Sequence, residues 1–235
     1  MKKKKISLGL IATGERTVQF YKEQISLLYD NNQLLNDGST LTTIGVDFTT
    51  INQYLPDQFT YLEPLWLKKI DLFKEDVDVL IIPNITLHET IDRLTEKKYF
   101  PIRTKIIHPL DAAVKILREE NINTVVIIGS AYTSHCNWIV SYFSLRDITV
   151  IYMSDEHTKQ VDLIRQRTYK KIETHQDHQY YNHLIHHYQR QAPVVIACTE
   201  LSILLDKKNS NDVFDMARIQ IHTAIHTVLQ INHYQ

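Results

Sequence analysis

Short runs of β-branched and aliphatic residues recur along the chain, at residues 6–11, 41–48, 77–82, 104–107, 125–129, 149–152 and 194–198, with amphipathic stretches between them. Each run is apolar on both faces rather than alternating, a pattern that suits strands buried between helical layers in a parallel sheet. Strands alternating with helices predict an α/β fold. The intervening segments carry helical spacing: Val18, Tyr21, Ile25 and Leu28 recur three and four residues apart, as do Leu110, Ala113, Val114 and Leu117. Each such stripe can cover one face of a sheet.

The same periodicity predicts a long polar helix over 156–172 and a second over 177–190, after which Pro193 opens a buried strand. A short apolar step at Val213 and Phe214 precedes a last amphipathic segment, 216–231. Two similar domains are expected, each a parallel sheet flanked by helices, related by a pseudo-twofold axis with an active-site cleft between them. The first would comprise residues 1–103 plus 210–235 and the second 104–209, with a boundary near 100–103 and a return crossing near 209–212. Local sequence supports two halves. A buried strand ends at Pro83-Asn84-Ile85-Thr86 in one and at Ala197-Cys198-Thr199-Glu200 in the other, and a helix follows each. Ligands of open parallel sheets collect at such strand ends, where helix N-termini offer unpaired N–H groups.

Charge narrows the function classes. With 26 Lys and Arg against 27 Asp and Glu, a net charge of -1 leaves no global basic footprint for nucleic acid, and no local basic stripe is evident. Two cysteines without CxxC spacing build neither a disulfide framework nor the usual zinc site, so a reducing cytoplasm is expected. Lys2 to Lys5 precede an apolar run at 6–12 that is broken by Ser7 and Gly9 and lacks a cleavage site, so it reads as a first strand and not a signal peptide. The longest other apolar runs, 77–83 and 125–129, fall far short of the roughly 20 residues that span a bilayer. No membrane association is expected.

Cys198 is the first candidate for chemistry, because it lies between an apolar strand and the start of a helix, where a thiol pKa is expected to fall and the thiolate to gain population. A small buried hydrophobe is the alternative reading of the same residue. Cys136, beside His135, reads as structural. Gly129-Ser130-Ala131-Tyr132-Thr133 follows a buried strand and either holds a carboxylate through its N–H groups and hydroxyls or is an ordinary Ser/Thr cap after a tight turn. The loop from Gly9 to Gly14 has neither GxGxxG order nor a GK[ST] phosphate pattern, which argues against nucleotide binding. His183 and His187 have metal-compatible spacing, but HExxH is absent and their neighbours are polar, so no metal is expected. No GxSxG elbow marks a serine hydrolase.

These pieces together resemble the aspartate/glutamate racemase family of cofactor-independent amino-acid racemases over nearly the whole chain. Ala197-Cys198-Thr199-Glu200-Leu201 is similar to the family's second cysteine motif. Gly129 to Thr133 stands where the family has its GTxxT turn, and support comes from 107–112, from Asp212-Val213-Phe214-Asp215 with His222 beyond, and from Thr17 and Tyr21. The resemblance implies two α/β halves with the substrate between them, a homodimer, no cofactor, and two facing cysteines that exchange the α-proton on opposite faces of a small amino acid or related carboxylate. It assigns Cys198 and Asn84 to the catalytic positions and Thr86, Ser130, Thr133, Thr199 and Glu200 to substrate binding. The first motif departs from the pattern. Where the family reads PCNTxH, this chain reads Pro83-Asn84-Ile85-Thr86-Leu87-His88, so Asn84 takes the cysteine's place. A carboxamide exchanges no proton near neutral pH. Leu10, Ile11 and Thr13 replace loop glycines, and Glu173 stands near the place where relatives selective for acidic amino acids carry a basic residue. The expected function is therefore a PLP-independent amino-acid racemase or isomerase with Cys198 as its acid/base. Asn84 would then hydrogen-bond to the substrate, with a bound water or a neighbouring side chain, Thr86 or His88, acting on the opposite face. The alternatives are a catalytically impaired relative that binds a small carboxylate, and a one-thiol lyase or decarboxylase.

Overall fold

The computed structural model describes residues 6–31, 40–70, 77–97, 104–206 and 212–233, so the expected boundary at 100–103 and most of the expected crossing at 209–212 lie outside the described residues. The chain divides into two compact units, residues 1–108 with 220–235 and residues 109–219. Among the described residues no helix is long and apolar enough to cross a membrane.

In the first unit the elements run β1 (Ser7–Ala12), α1 (Glu15–Asn31), β2 (Thr40–Gly45), α2 (Phe48–Asn52), α3 (Phe59–Ile70), β3 (Val79–Ile81), α4 (Ile85–Glu96) and β4 (Lys105–Ile106). The strands pair in the order β2-β1-β3-β4, all parallel. Leu8, Leu10 and Ile11 of β1 are fully buried, as two-sided apolar runs require in a central strand. The run at 41–48 stops being strand at Gly45 because Asp47 caps α2, its carboxylate accepting the Thr50 N–H at 3.2 Å. Ile11, Ile44, Leu62, Trp66, Leu80, Leu87 and Ile91 form this unit's core.

The second unit repeats the arrangement with α5 (Pro109–Glu119), β5 (Thr124–Gly129), α6 (Asn137–Ser144), β6 (Thr149–Ile151), α7 (Asp155–Tyr169), α8 (His175–Gln189), β7 (Val194–Ala197), α9 (Thr199–Leu204) and β8 (Val213–Asp215), before α10 (Met216–His233). Its strands pair in the order β6-β5-β7-β8, again all parallel. Helix α8 starts earlier than the apolar spacing predicts, because Thr174 and Asp177 close a capping box ahead of His175. Val126, Ile128, Val161, Ile164, Tyr181, Ile185 and Ile196 pack with Cys198 and Leu201 in one apolar cluster.

Two features move the return of the chain to the first unit past 209–212. Val213–Asp215 form a strand that pairs with β7, in register Val194 to Val213, so this step belongs to the second sheet. The division then falls inside α10, between Ile219 and Gln220. Gln220 is buried and ties that helix to the first unit: its amide donates to the Ile107 carbonyl at 2.7 Å and its oxygen accepts from the Tyr21 hydroxyl at 2.9 Å.

Candidate active site

In each sheet the strand order reverses between the first strand and the third, β1 and β3 in one unit and β5 and β7 in the other. That switch point is where parallel α/β sheets bind ligands, beyond the carboxyl ends of the strands. The residues singled out from sequence fall at these ends. In the second unit Gly129 pairs with Ala197, so Ser130 and Cys198 each lie one residue beyond a matched position on adjacent strands. In the first unit Asn84 follows β3, and the Thr13 hydroxyl beyond β1 donates to the Pro83 carbonyl at 3.4 Å.

Asn84 and Cys198 occupy the same local position in their units. Both are N-caps with extended backbone, φ -155 and ψ 113 for Asn84 and φ -159 and ψ 127 for Cys198. Their side chains do different work. The Asn84 carboxamide oxygen accepts the Leu87 N–H at 2.9 Å and so caps α4, whereas Cys198 makes no side-chain cap. Cys198 is 7% exposed and its thiol donates to Glu200 Oε2 at 3.2 Å. Burial pushes the thiol well above its usual range and the Glu200 carboxylate adds to the shift. The Arg165 guanidinium and the Leu201 amide offset only part of it. This corrects the expectation of a thiol acidified by the helix start. A six-residue helix supplies a modest field, and desolvation of the anion outweighs it. The resting form is the thiol.

Thr199 and Glu200 open α9 beside Cys198, and the Thr199 hydroxyl also donates to Glu200 Oε2, at 3.2 Å. Ser130 and Thr133 close on one another. Thr133 Oγ1 accepts the Ser130 N–H at 2.8 Å and Ser130 Oγ accepts the Thr133 N–H at 3.0 Å. Gly129 is needed for this closure, because a Cβ there would run into the Thr133 side chain and lie 3.1 Å from the Ala197 carbonyl oxygen. Thr86 lies in the first turn of α4, in the other unit from Cys198. Cys136 is the N-cap of α6 and makes no side-chain cap hydrogen bond.

Sequence reasoning overlooked Asp162 and Arg165, on the polar helix α7. Asp162 Oδ1 accepts the Ala131 N–H at 3.1 Å, which fastens α7 to the turn beyond β5. The same carboxylate accepts Arg165 Nε at 2.7 Å and Gln166 Nε2 at 2.8 Å, bonds that hold it below the usual carboxylate range despite its burial. Burial disfavours the Arg165 charge, but Asp162 together with Cys198 and Glu200 more than compensates and keeps the guanidinium firmly cationic. Arg165 thus sits within electrostatic reach of the thiol, anchored through Nε. Among the described residues no hydrogen bond engages its Nη atoms. An open guanidinium edge is the geometry that receives a carboxylate in two parallel bonds. The i,i+3 spacing of Asp162 and Arg165 was visible in the sequence, but it signals a surface ion pair more often than a site.

His88, a sequence candidate to assist Asn84, is core. It is fully buried, its Nε2 lies 3.1 Å from the Ile82 carbonyl oxygen, and its ring meets the edge of His108 at 4.8 Å. The Gln220 amide nitrogen also lies 3.3 Å from that Nε2. Burial, with His108 beside it, pushes the pKa well below the usual histidine range. A histidine kept neutral when folded but titrating near pH 6.5 when unfolded leaves the unfolded chain binding the extra proton below that pH. Stability is then expected to fall as the pH drops below about 6.5, by up to about 1.4 kcal/mol per unit. Urea unfolding of wild type and His88→Leu between neutral and mildly acid pH checks this, since the variant should lose one proton's worth of slope whatever its absolute stability. Equal slopes would remove His88 as the source.

No protein-family model matches the chain, and no curated protein matches it significantly in sequence. Solved structures do match in fold. A Yersinia pestis protein provisionally assigned as an Asp/Glu racemase is 21% identical with a TM-score of 0.78, over 96% of this chain and 100% of that one. An aspartate racemase homologue from Pyrococcus horikoshii OT3 is 16% identical with a TM-score of 0.77, over 97% and 100%. The maleate isomerase Iso from Pseudomonas putida S16 is 14% identical with a TM-score of 0.58, over 95% and 93%. Two four-stranded parallel sheets of matching strand order, each with a strand-to-helix turn at its switch point, thus give this chain the fold of the aspartate/glutamate racemases.

Proposed function

We propose that the chain is a cofactor-independent racemase or isomerase of a small amino acid or related carboxylate, with Cys198 as the group that exchanges the α-proton. The observation that carries this reading is the Cys198 thiol at the β7 end with its hydrogen directed to Glu200 at 3.2 Å. A thiol whose pKa is raised holds its proton at rest and is ready to give it to a carbanion. For the reverse step Glu200 can take the thiol proton and leave the thiolate as base. The α-proton of an amino acid is weakly acidic, so the carbanion needs a cation waiting for its carboxylate, and Arg165 is the cation within reach of the thiol. Asn84 supplies hydrogen-bond donors from its amide nitrogen, with its oxygen committed to the α4 cap. Ser130, Thr133, Thr199 and Thr86 belong to the same proposal as groups lining the substrate, as do a homodimer and a cytoplasmic location.

The cap at Asn84 favours a second reading as well. With no titratable group at that strand end, proton delivery from the Cys198 face alone would serve a lyase or decarboxylase, and a protein that only binds a carboxylate needs no proton transfer at all. Incubation with candidate amino acids in deuterium oxide separates these readings. A racemase incorporates deuterium at Cα with inversion, and one-face chemistry exchanges with retention. Absence of exchange across acidic and neutral amino acids, with binding intact, would leave only the binding protein.

A further inference from the structure

The turn beyond β5 has its amides committed inside the protein. The Gly129 N–H donates to the Ser134 hydroxyl at 3.0 Å, the Ser130 N–H to Thr133 Oγ1 at 2.8 Å, the Thr133 N–H to Ser130 Oγ at 3.0 Å and the Ser134 N–H to the Ser130 carbonyl at 3.0 Å. The Ala131 N–H goes to a carboxylate, Asp162 Oδ1 of α7, at 3.1 Å. A turn that binds an anion through its backbone needs several such donors free and convergent. Here the protein's own carboxylate holds the amide that a ligand carboxylate would use. Charge at these strand ends is also unbalanced. Bonds from Ala131, Arg165 and Gln166 keep Asp162 ionised. Glu200 stands beside Cys198, and the thiol and the Thr199 hydroxyl both donate to it at 3.2 Å. Asp215 at the end of β8 is matched by Arg218. Against Asp162 and Glu200, the described residues hydrogen-bonded to these strand ends supply one cation, Arg165. The site is therefore negative before a substrate arrives, and passing the thiol proton from Cys198 to Glu200 leaves that charge unchanged.

We propose that the site at Cys198 takes amino acids without net charge and turns away those with a second carboxylate, with Asp162 as the residue that sets this preference. The inference rests on the substrate site of the proposed isomerase. An amino acid with an uncharged side chain arrives as a zwitterion. Its carboxylate fits the open edge of Arg165 and its ammonium group is drawn to Glu200, so each charge finds a partner. Arg165 cannot serve a second carboxylate in the same way, because its Nε is already committed to Asp162 at 2.7 Å and a single edge stays open. A side-chain carboxylate therefore gives up its water for a place where Asp162 and Glu200 repel it and no cation compensates.

The experiment measures dissociation constants by calorimetry on the full chain for two isosteric pairs, asparagine with aspartate and glutamine with glutamate, each in both enantiomers. Members of a pair have the same size and differ by one charge. The neutral member is expected to bind at least about tenfold more tightly, the scale of one uncompensated charge contact. Added salt should shrink that advantage. Asp162→Asn keeps a side-chain oxygen for the Ala131 amide and removes the charge, so it should bring the two members to within about threefold of each other. A merely structural Asp162 would weaken both members alike and leave their ratio where it was. Should the variant not fold, the wild-type ratio and its salt dependence decide. Equal binding of the two members in wild type, absence of binding included, overturns the proposal. So does tighter binding of the acidic member, a ratio insensitive to salt, or a ratio that Asp162→Asn leaves unchanged. No turnover is read, so the isomerase reading can fail by absence of exchange at Cα while this preference holds. Exchange confined to acidic amino acids would overturn the preference and leave the isomerase standing.

Discussion

Cys198→Ser lowers turnover, or deuterium exchange at Cα, by at least about a hundredfold while the protein becomes no less stable. The two halves of this expectation have separate physical causes. The hydroxyl of serine ionises far above the thiol, and at a site that already raises the thiol through burial and the Glu200 carboxylate no useful alkoxide forms. Stability should hold because position 198 is the N-cap of α9, where cysteine leaves the first amides without a side-chain acceptor. Serine is among the preferred N-caps and gains about 0.5 to 2 kcal/mol at such positions relative to residues that do not cap. Activity and melting temperature measured on the same preparation check both halves. A variant that keeps its turnover would take Cys198 out of the chemistry. A variant that loses both activity and its melting transition would show instead that the thiol is a packing residue of the cluster it shares with Leu201 and Tyr181.

The parts of this site that the sequence displays are those set by local pattern. Runs such as 125–129 and 194–197 are apolar on both faces, and that alone makes them central strands whose ends carry Gly129 and Cys198. Strand β8 is only three residues long, and its pairing with β7 depends on the sheet already being there, so Val213 and Phe214 read as a mere apolar step. Arg165 escaped for a related reason. Its relation to Cys198 passes through Asp162 and the Ala131 amide, a contact between α7 and the turn beyond β5 that no spacing along the chain reveals. The direction of the thiol's pKa shift is not legible in the sequence, because the helix start is visible there while the burial and the Glu200 carboxylate that outweigh it belong to the folded unit. His88 shows the same limit from the other side. A histidine four residues beyond Asn84 looks available, but on α4 that spacing turns it inward against the Ile82 carbonyl.

Asn84→Cys is the change with the most to gain and a known structural cost. It places a titratable thiol at the strand end of the first unit that matches Cys198 in the second, both extended N-caps after the third strand of a sheet. If the lack of a second proton-exchanging group is the only defect, racemisation of a suitable amino acid should rise by about a hundredfold or more, the lower end of the roughly 10² to 10⁴ typical of a positioned acid or base. The cost is the α4 cap. Removing the carboxamide frees the Leu87 N–H and should lower stability by about 1 kcal/mol. Asn84→Ser is the control, because serine keeps a side-chain acceptor for that amide but brings no group that ionises near neutral pH. The expected result is a gain in two-face exchange for Asn84→Cys with a lower melting temperature, and neither effect for Asn84→Ser. Equal activity in the two variants would mean that the Asn84 position does not meet the α-proton. The asparagine would then be explained by its cap, and chemistry on the Cys198 face alone would be the reading to pursue.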